Sequence, residues 1–232
     1  SAGHEDTVVR HATSKLSTYH LVSNEEHFNR LISIGESQNR ISNIGSISLD
    51  RFKKIKTYSR QKISEILSIE PFENCALTIY HPSPSILDDD SIVFENILKS
   101  LKNKKIFSFI SYPNTDSNKS KIINIIEKYK EDKNFYFFKN IDRNVFLSIF
   151  KLSKFIIGNS SAGIYEAASI PIPTINVGKR QQDRMAGKNI LFCGTSIKEI
   201  TANIDKATTQ SFIRSIEKII NPYGDGKSAN RA

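Results

Sequence analysis

From Ala76 onward, short apolar runs alternate with amphipathic segments of helix length, as in a parallel sheet buried on both faces and covered by helices. The runs predict strands at Ala76–Tyr80, Ile106–Ser111, Phe135–Phe138, Phe155–Gly158, Thr174–Val177 and Ile190–Cys193. Helices fit between them at Ser91–Leu101, Ser117–Lys130, Asn144–Ser153, Ala162–Ala168 and Ile197–Ala207, with another at Gln210–Ile220. Repetition of strand and helix predicts an α/β fold with a doubly wound, Rossmann-like parallel sheet. Ligands of such sheets sit at the carboxyl ends of the strands, and His81, Asn114, Asn140, Gly158 and Gly178 fall there.

Before Ala76 the pattern predicts a helix around Thr7–Leu16, a strand Tyr19–Ser23, a helix Glu25–Ile34, a strand Arg40–Ile44 and a long helix Leu49–Ser68. The opening helix has no strand before it, and one strand–helix unit cannot build a core alone. Residues 1–45 are therefore expected to be the terminal elements of a preceding domain truncated here. Residues 46–221 are expected to form the Rossmann-like domain, and 222–232 a tail leading to a missing helix.

The sharpest local signal is Gly158-Asn159-Ser160-Ser161-Ala162-Gly163-Ile164-Tyr165-Glu166, which leaves an apolar strand and enters a helical pattern. N–H groups at a helix start favour an anion, and two glycines with two hydroxyls let a pyrophosphate come close. Glu166, placed near the first turn, offers a carboxylate to both hydroxyls of a ribose. The segment is neither a P-loop, since Ile164-Tyr165 stands in place of Lys-Ser/Thr, nor G-x-G-x-x-G. A nucleotide seat and an ordinary strand-to-helix turn with serine caps both fit the local pattern.

Composition narrows the classes. No apolar run approaches the ~18–20 residues of a membrane span, and no signal-peptide pattern precedes the first helix, so a cytoplasmic chain without membrane partners is expected. Cys75 and Cys193 lie far apart in apolar runs and read as buried thiols. The net charge of +9 admits nucleic acid or a phosphate-bearing small ligand. Dispersed lysines, without arginine–aromatic interleaving or a nucleic-acid-binding motif, favour the small ligand. His4, His11, His20 and His27 are spaced by 7, 9 and 7 residues, which lacks the i,i+4 pair of a zinc site, so no metal is expected. His81, directly after a strand and before Pro82, is the histidine best placed at the ligand edge, as general acid/base or as a charge partner for a diphosphate. Arg180, in the loop Lys179-Arg180-Gln181-Gln182-Asp183-Arg184, suits a phosphate or a uracil edge; a solvent loop has the same composition. Asn114 reads equally as a turn former.

Several separated motifs point the same way. Arg10–Ser17, Tyr80-His81-Pro82, Gly158–Gly163 with Glu166, Ile175-Asn176-Val177-Gly178-Lys179-Arg180-Gln181, and Asn221–Gly226 together resemble the hydrolysing UDP-N-acetylglucosamine 2-epimerases. That class includes enzymes of sialic acid synthesis and relatives acting on UDP-N,N'-diacetylbacillosamine. The resemblance covers nearly the whole chain. It implies two Rossmann-like halves facing a cleft, similar to GT-B glycosyltransferases, with this chain as the UDP-binding second half plus the last elements of the first. The implied chemistry is loss of the C2 proton, elimination of UDP to a 2-acetamidoglucal, and hydration to the epimerised free sugar, with no cofactor. Asp6 and His81 match catalytic positions, and Asn114, Ser160, Ser161, Gly163, Glu166 and Arg180 match the UDP-contacting region. The remaining acids of the family would lie upstream of residue 1, so the chain alone is expected to be inactive. A UDP-sugar is the expected partner, with a homo-oligomer possible through the full-length protein. A GT-B glycosyltransferase domain or a non-catalytic UDP-sugar-binding module are the alternatives.

Overall fold

Cys75–Ile79 is buried at all five positions, as a central strand covered on both faces requires. The computed structural model describes residues 6–52, 56–82, 89–113 and 119–232, with residues 6 and 7 described through their backbone. In chain order the first elements are α1 (Asp6–Leu16), β1 (His20–Val22), α2 (Glu25–Ser33), β2 (Ile41–Asn43), α3 (Ile47–Asp50) and α4 (Arg60–Leu67). Then come β3 (Cys75–Ile79), α5 (Asp90–Asn103), β4 (Phe107–Ser111), α6 (Lys119–Tyr129), β5 (Phe135–Phe138), α7 (Arg143–Leu152), β6 (Ile156–Gly158) and α8 (Ser161–Tyr165). The chain continues through β7 (Thr174–Val177), β8 (Ile190–Cys193), α9 (Ile197–Ala207), α10 (Gln210–Ile216) and α11 (Ser228–Arg231).

Among the described residues, β3 to β8 form one six-stranded sheet in the order β5-β4-β3-β6-β7-β8, every pair parallel. This is the doubly wound Rossmann order, and the winding reverses between β3 and β6. Successive β3 residues face opposite layers. Ala76 and Tyr80 enter a core built with α5, α6 and α9, through Phe94, Ile97, Leu98, Ile122, Ile126, Ile200 and Ile204. Cys75, Leu77 and Ile79 enter the opposite core with Ile63 of α4 and Val145, Ile149 and Phe150 of α7. Helix starts are set by side-chain caps: Asp142 accepts from Asn144 N and Val145 N, and Ser196 forms a capping box with Glu199.

The predicted helix over Leu49–Ser68 does not form as one piece. It is replaced by the four-residue α3 and by α4, which Ser59 caps at Lys62 N. Between them Tyr58 N donates to Ser148 Oγ at 2.8 Å, which draws the backbone away from helical pairing. Asp50 is also diverted, accepting from Ser228 N at 2.9 Å and Ala229 N at 2.6 Å. These partners lie 90 to 179 residues away in sequence, beyond the reach of local periodicity.

The N-terminal elements stand apart in hydrogen bonding: β1 and β2 pair in parallel as a separate two-stranded sheet. Their ion cluster buries Glu36 and His20 and leaves Lys15 half exposed. Glu36 accepts from Lys15 Nζ at 2.8 Å and lies 3.2 Å from His20 Nε2, and the lysine chiefly holds its carboxyl below the usual range. Val8, Val9, Leu16, Tyr19 and Leu21 remain exposed.

Candidate functional site

The winding reversal brings the β3 and β6 ends side by side, with Ile79 opposite Gly158. Gly158 has φ +136°, and a Cβ there would stand 2.0 Å from Ile79 O, so only glycine fits. Asn159 N then makes the last backbone rung, 3.1 Å to Ile79 O. The buried Asn159 carboxamide accepts from His81 N and donates to His81 O, both at 2.8 Å. Its own carbonyl accepts from Arg180 Nη1 at 3.0 Å and Gln181 Nε2 at 2.9 Å. Three loops after three strands therefore meet on one residue.

Ser160 caps α8, accepting from Ala162 N at 3.3 Å, and Ser161 is its first residue. Gly163 is buried with its Cα pressed on β7, where a Cβ would meet Thr174 Cγ2 at 2.6 Å. Close helix–strand packing thus accounts for that glycine. α8 is only five residues long, so Glu166 is its C-cap and not a first-turn residue. Its carboxylate consequently gains nothing from the positive end of the helix. Glu166 Oε2 is buried without a hydrogen-bond partner, and burial pushes the carboxyl up to about 7 against the opposing pull of Arg143. A buried acceptor oxygen left open at the carboxyl edge of the sheet is suited to receiving a hydroxyl donor.

Of the residues singled out from sequence, His81, Ser160, Ser161, Gly163, Glu166 and Arg180 are gathered around this turn. Asn114 lies outside the described residues, and Asp6 opens α1 with its side chain outside them too. Arg180 is not a free loop cation but is held on the Asn159 carbonyl. Asn159 and Gln181 are participants that the sequence motifs contain without marking, because their partners are 78 and 22 residues distant. Following α8, Tyr223 packs against Tyr165 with centroids 4.1 Å apart and rings tilted by 38°, and donates to Met185 O at 2.7 Å. Asn221 Nδ2 donates to Tyr165 O and Ser169 Oγ, each at 2.7 Å.

The UDP-N-acetylglucosamine 2-epimerase family model matches residues 1–232. The chain belongs to this family. It is 32% identical over 230 residues to the hydrolysing UDP-N,N'-diacetylbacillosamine 2-epimerase of Legionella pneumophila, covering 99% of this chain and 60% of that protein. It is 35% identical over 209 residues to the UDP-N-acetylglucosamine 2-epimerase of Neisseria meningitidis serogroup B, covering 89% of this chain and 54% of that protein. The fold agrees with a UDP-GlcNAc 2-epimerase from Neisseria meningitidis solved bound to UDP-GlcNAc, at TM-score 0.80, 17% identity, 98% of this chain and 63% of that one. As a UDP-N-acetylglucosamine 2-epimerase family member, the chain thus spans little more than half the length of its relatives. No described helix is long and apolar enough to cross a membrane.

Proposed function

We propose that this chain is the UDP-binding, C-terminal half of a hydrolysing UDP-N-acetylhexosamine 2-epimerase. The observation that carries the reading is Glu166: a buried carboxylate oxygen without a partner, beside a serine-capped turn at the winding reversal of a Rossmann sheet. A ribose diol supplies two donors to such a group, and the Ser160–Ser161 turn receives the diphosphate with Arg180 alongside. Asn114 and Gly163 complete the UDP-contacting set, Gly163 by letting the helix seat closely.

The reaction removes a weakly acidic C2 proton and expels UDP, which requires a placed base and stabilisation of the leaving diphosphate. His81 stands at the carboxyl end of β3, and its role is proton transfer or charge stabilisation of that diphosphate. Asp6, the first residue of α1, is the catalytic carboxylate of this reading. The chain alone binds UDP weakly and does not turn over, since the half that completes the cleft supplies the other acids. The setting is cytoplasmic.

Turnover of the intact protein in D₂O tests the reading. The released sugar is expected to carry deuterium at C2, and in ¹⁸O-water its anomeric oxygen is labelled while the UDP is not. A product retaining its C2 hydrogen would overturn the assignment in favour of a glycosyltransferase or a simple hydrolase.

A further inference from the structure

We infer that Asn159 is a positioning residue that fixes His81 relative to the nucleotide turn. The inference rests on the reading of His81 as the reacting histidine. The β3–β6 ladder stops at the bond from Asn159 N to Ile79 O, because α8 begins two residues later and carries the chain away from the sheet. The next rung, at His81 two residues beyond Ile79, is made by a side chain. The Asn159 carboxamide supplies that rung, presenting one acceptor to His81 N–H and one donor to His81 O in a single plane. Meanwhile the carbonyl of the same residue anchors Arg180 and Gln181. The two functions separate by atom. The side chain serves the histidine loop, and the main chain serves the loop that faces the phosphates.

This separation makes the role testable apart from general structural support. Ionised, the carboxylate of Asn159→Asp still accepts from His81 N–H but opposes His81 O with no proton. Protonated, it regains one donor and one acceptor and reproduces the carboxamide. Its burial favours the protonated form, which brings the transition into the accessible pH range.

At pH 8, kcat of Asn159→Asp in the intact protein is expected to fall about 10- to 100-fold, the scale for a reacting group displaced by about an ångström. The UDP dissociation constant should stay within about threefold, because the Arg180 anchor is a main-chain bond. The ratio of variant to wild-type kcat should rise as pH falls, and the His81 backbone amide resonance should follow the same midpoint. Asn159→Ser, too short to span the peptide, should lose kcat similarly with a ratio that does not vary with pH, and it remains informative if the aspartate variant fails to fold. Parallel loss of kcat and UDP affinity with a flat ratio in Asn159→Asp, or an Asn159→Ser protein with native kcat, would overturn the inference. Should wild-type protein fail to exchange C2 hydrogen, the functional reading falls, and the His81 amide titration decides the positioning role separately.

Discussion

Gly158 lies against Ile79 so closely that a Cβ at 158 would stand 2.0 Å from the Ile79 carbonyl oxygen, at a backbone φ of +136°. The contact sits where strands β3 and β6 end together, so any relief must push apart the loops carrying His81 and Ser160. Gly158→Ala is expected to destabilise the fold by about 4 kcal/mol or more, the range of backbone clash combined with strain. Gly178→Ala, with φ +78° but only Thr195 Cγ2 at 3.7 Å, should cost about 1 kcal/mol. Urea unfolding of both variants measures the contrast, and equal losses would show that φ alone governs these glycines.

Glu166 gives a pH-dependent stability with a defined sign. Its carboxyl is raised to about 7 from 4.5, so between those values the folded protein holds the proton that the unfolded chain releases. The protein without ligand should therefore lose stability as pH rises across that window, by about 3 kcal/mol in all from this group. Glu166→Gln removes the penalty and should be more stable than wild type at pH 8 and near parity at pH 4.5. Thermal melts against pH test this; a Glu166→Gln protein that tracks wild type throughout would return the carboxyl to an ordinary pKa.

The same group should couple a proton to ligand arrival. Hydroxyl donors favour the ionised carboxylate, so a UDP-sugar is expected to expel a proton near pH 6.5. The chain alone, which the proposed reading expects not to turn over, serves as the binding partner, and calorimetry in buffers of different ionisation enthalpy counts the proton. Glu166→Gln should abolish the release and weaken binding by about 1–3 kcal/mol, the scale for losing charged hydrogen bonds.

His81→Ala should slow turnover of the intact protein by about 10²–10⁴-fold, as for loss of a general acid or base. UDP binding should change far less if the histidine serves proton transfer, and markedly if it neutralises the diphosphate. Parallel kinetics and calorimetry separate the two roles.

Asp50 is expected to hold the C-terminal helix by receiving Ser228 N and Ala229 N. Those backbone bonds, led by Ala229, keep its carboxyl below the ordinary range, so the hold is present at neutral pH and is lost on acidification through that lowered value. Hydrogen exchange at Ser228–Arg231 should quicken in Asp50→Ala at pH 7 and in wild type at low pH. Unchanged protection in the variant would show that α11 is held by other contacts.

Local pattern revealed the sheet well because its signals are local. Thr174–Val177 and Phe135–Phe138 are bounded in structure where their apolar runs are bounded in sequence, and α9 begins at the residue after its capping Ser196. The long helix at Leu49–Ser68 failed because Tyr58 and Asp50 are claimed by groups far along the chain. At the site, Gly158, His81 and the serine turn were visible as residue types at strand ends. The geometry of Glu166 was misjudged because the break after α8 depends on packing of Ala167 and Ala168 beneath the sheet and on Asn221 holding the Tyr165 carbonyl. Asn159 carried no signal at all, since its meaning lies in a peptide 78 residues earlier.

Tyr223 and its neighbours impose an order on biosynthesis. The Tyr165 ring emerges from the ribosome 58 residues ahead of the ring that packs against it, and Ser46 N waits 177 residues for the Tyr223 carbonyl that it meets at 2.7 Å. Until then the small cluster of Leu49, Ile164 and Ile190 lacks its aromatic cover. A nascent chain halted before residue 223 thus presents a sheet already able to pair but an α8 without the Tyr223 ring against it, leaving an interval in which this end of the domain is open to chaperones and proteases.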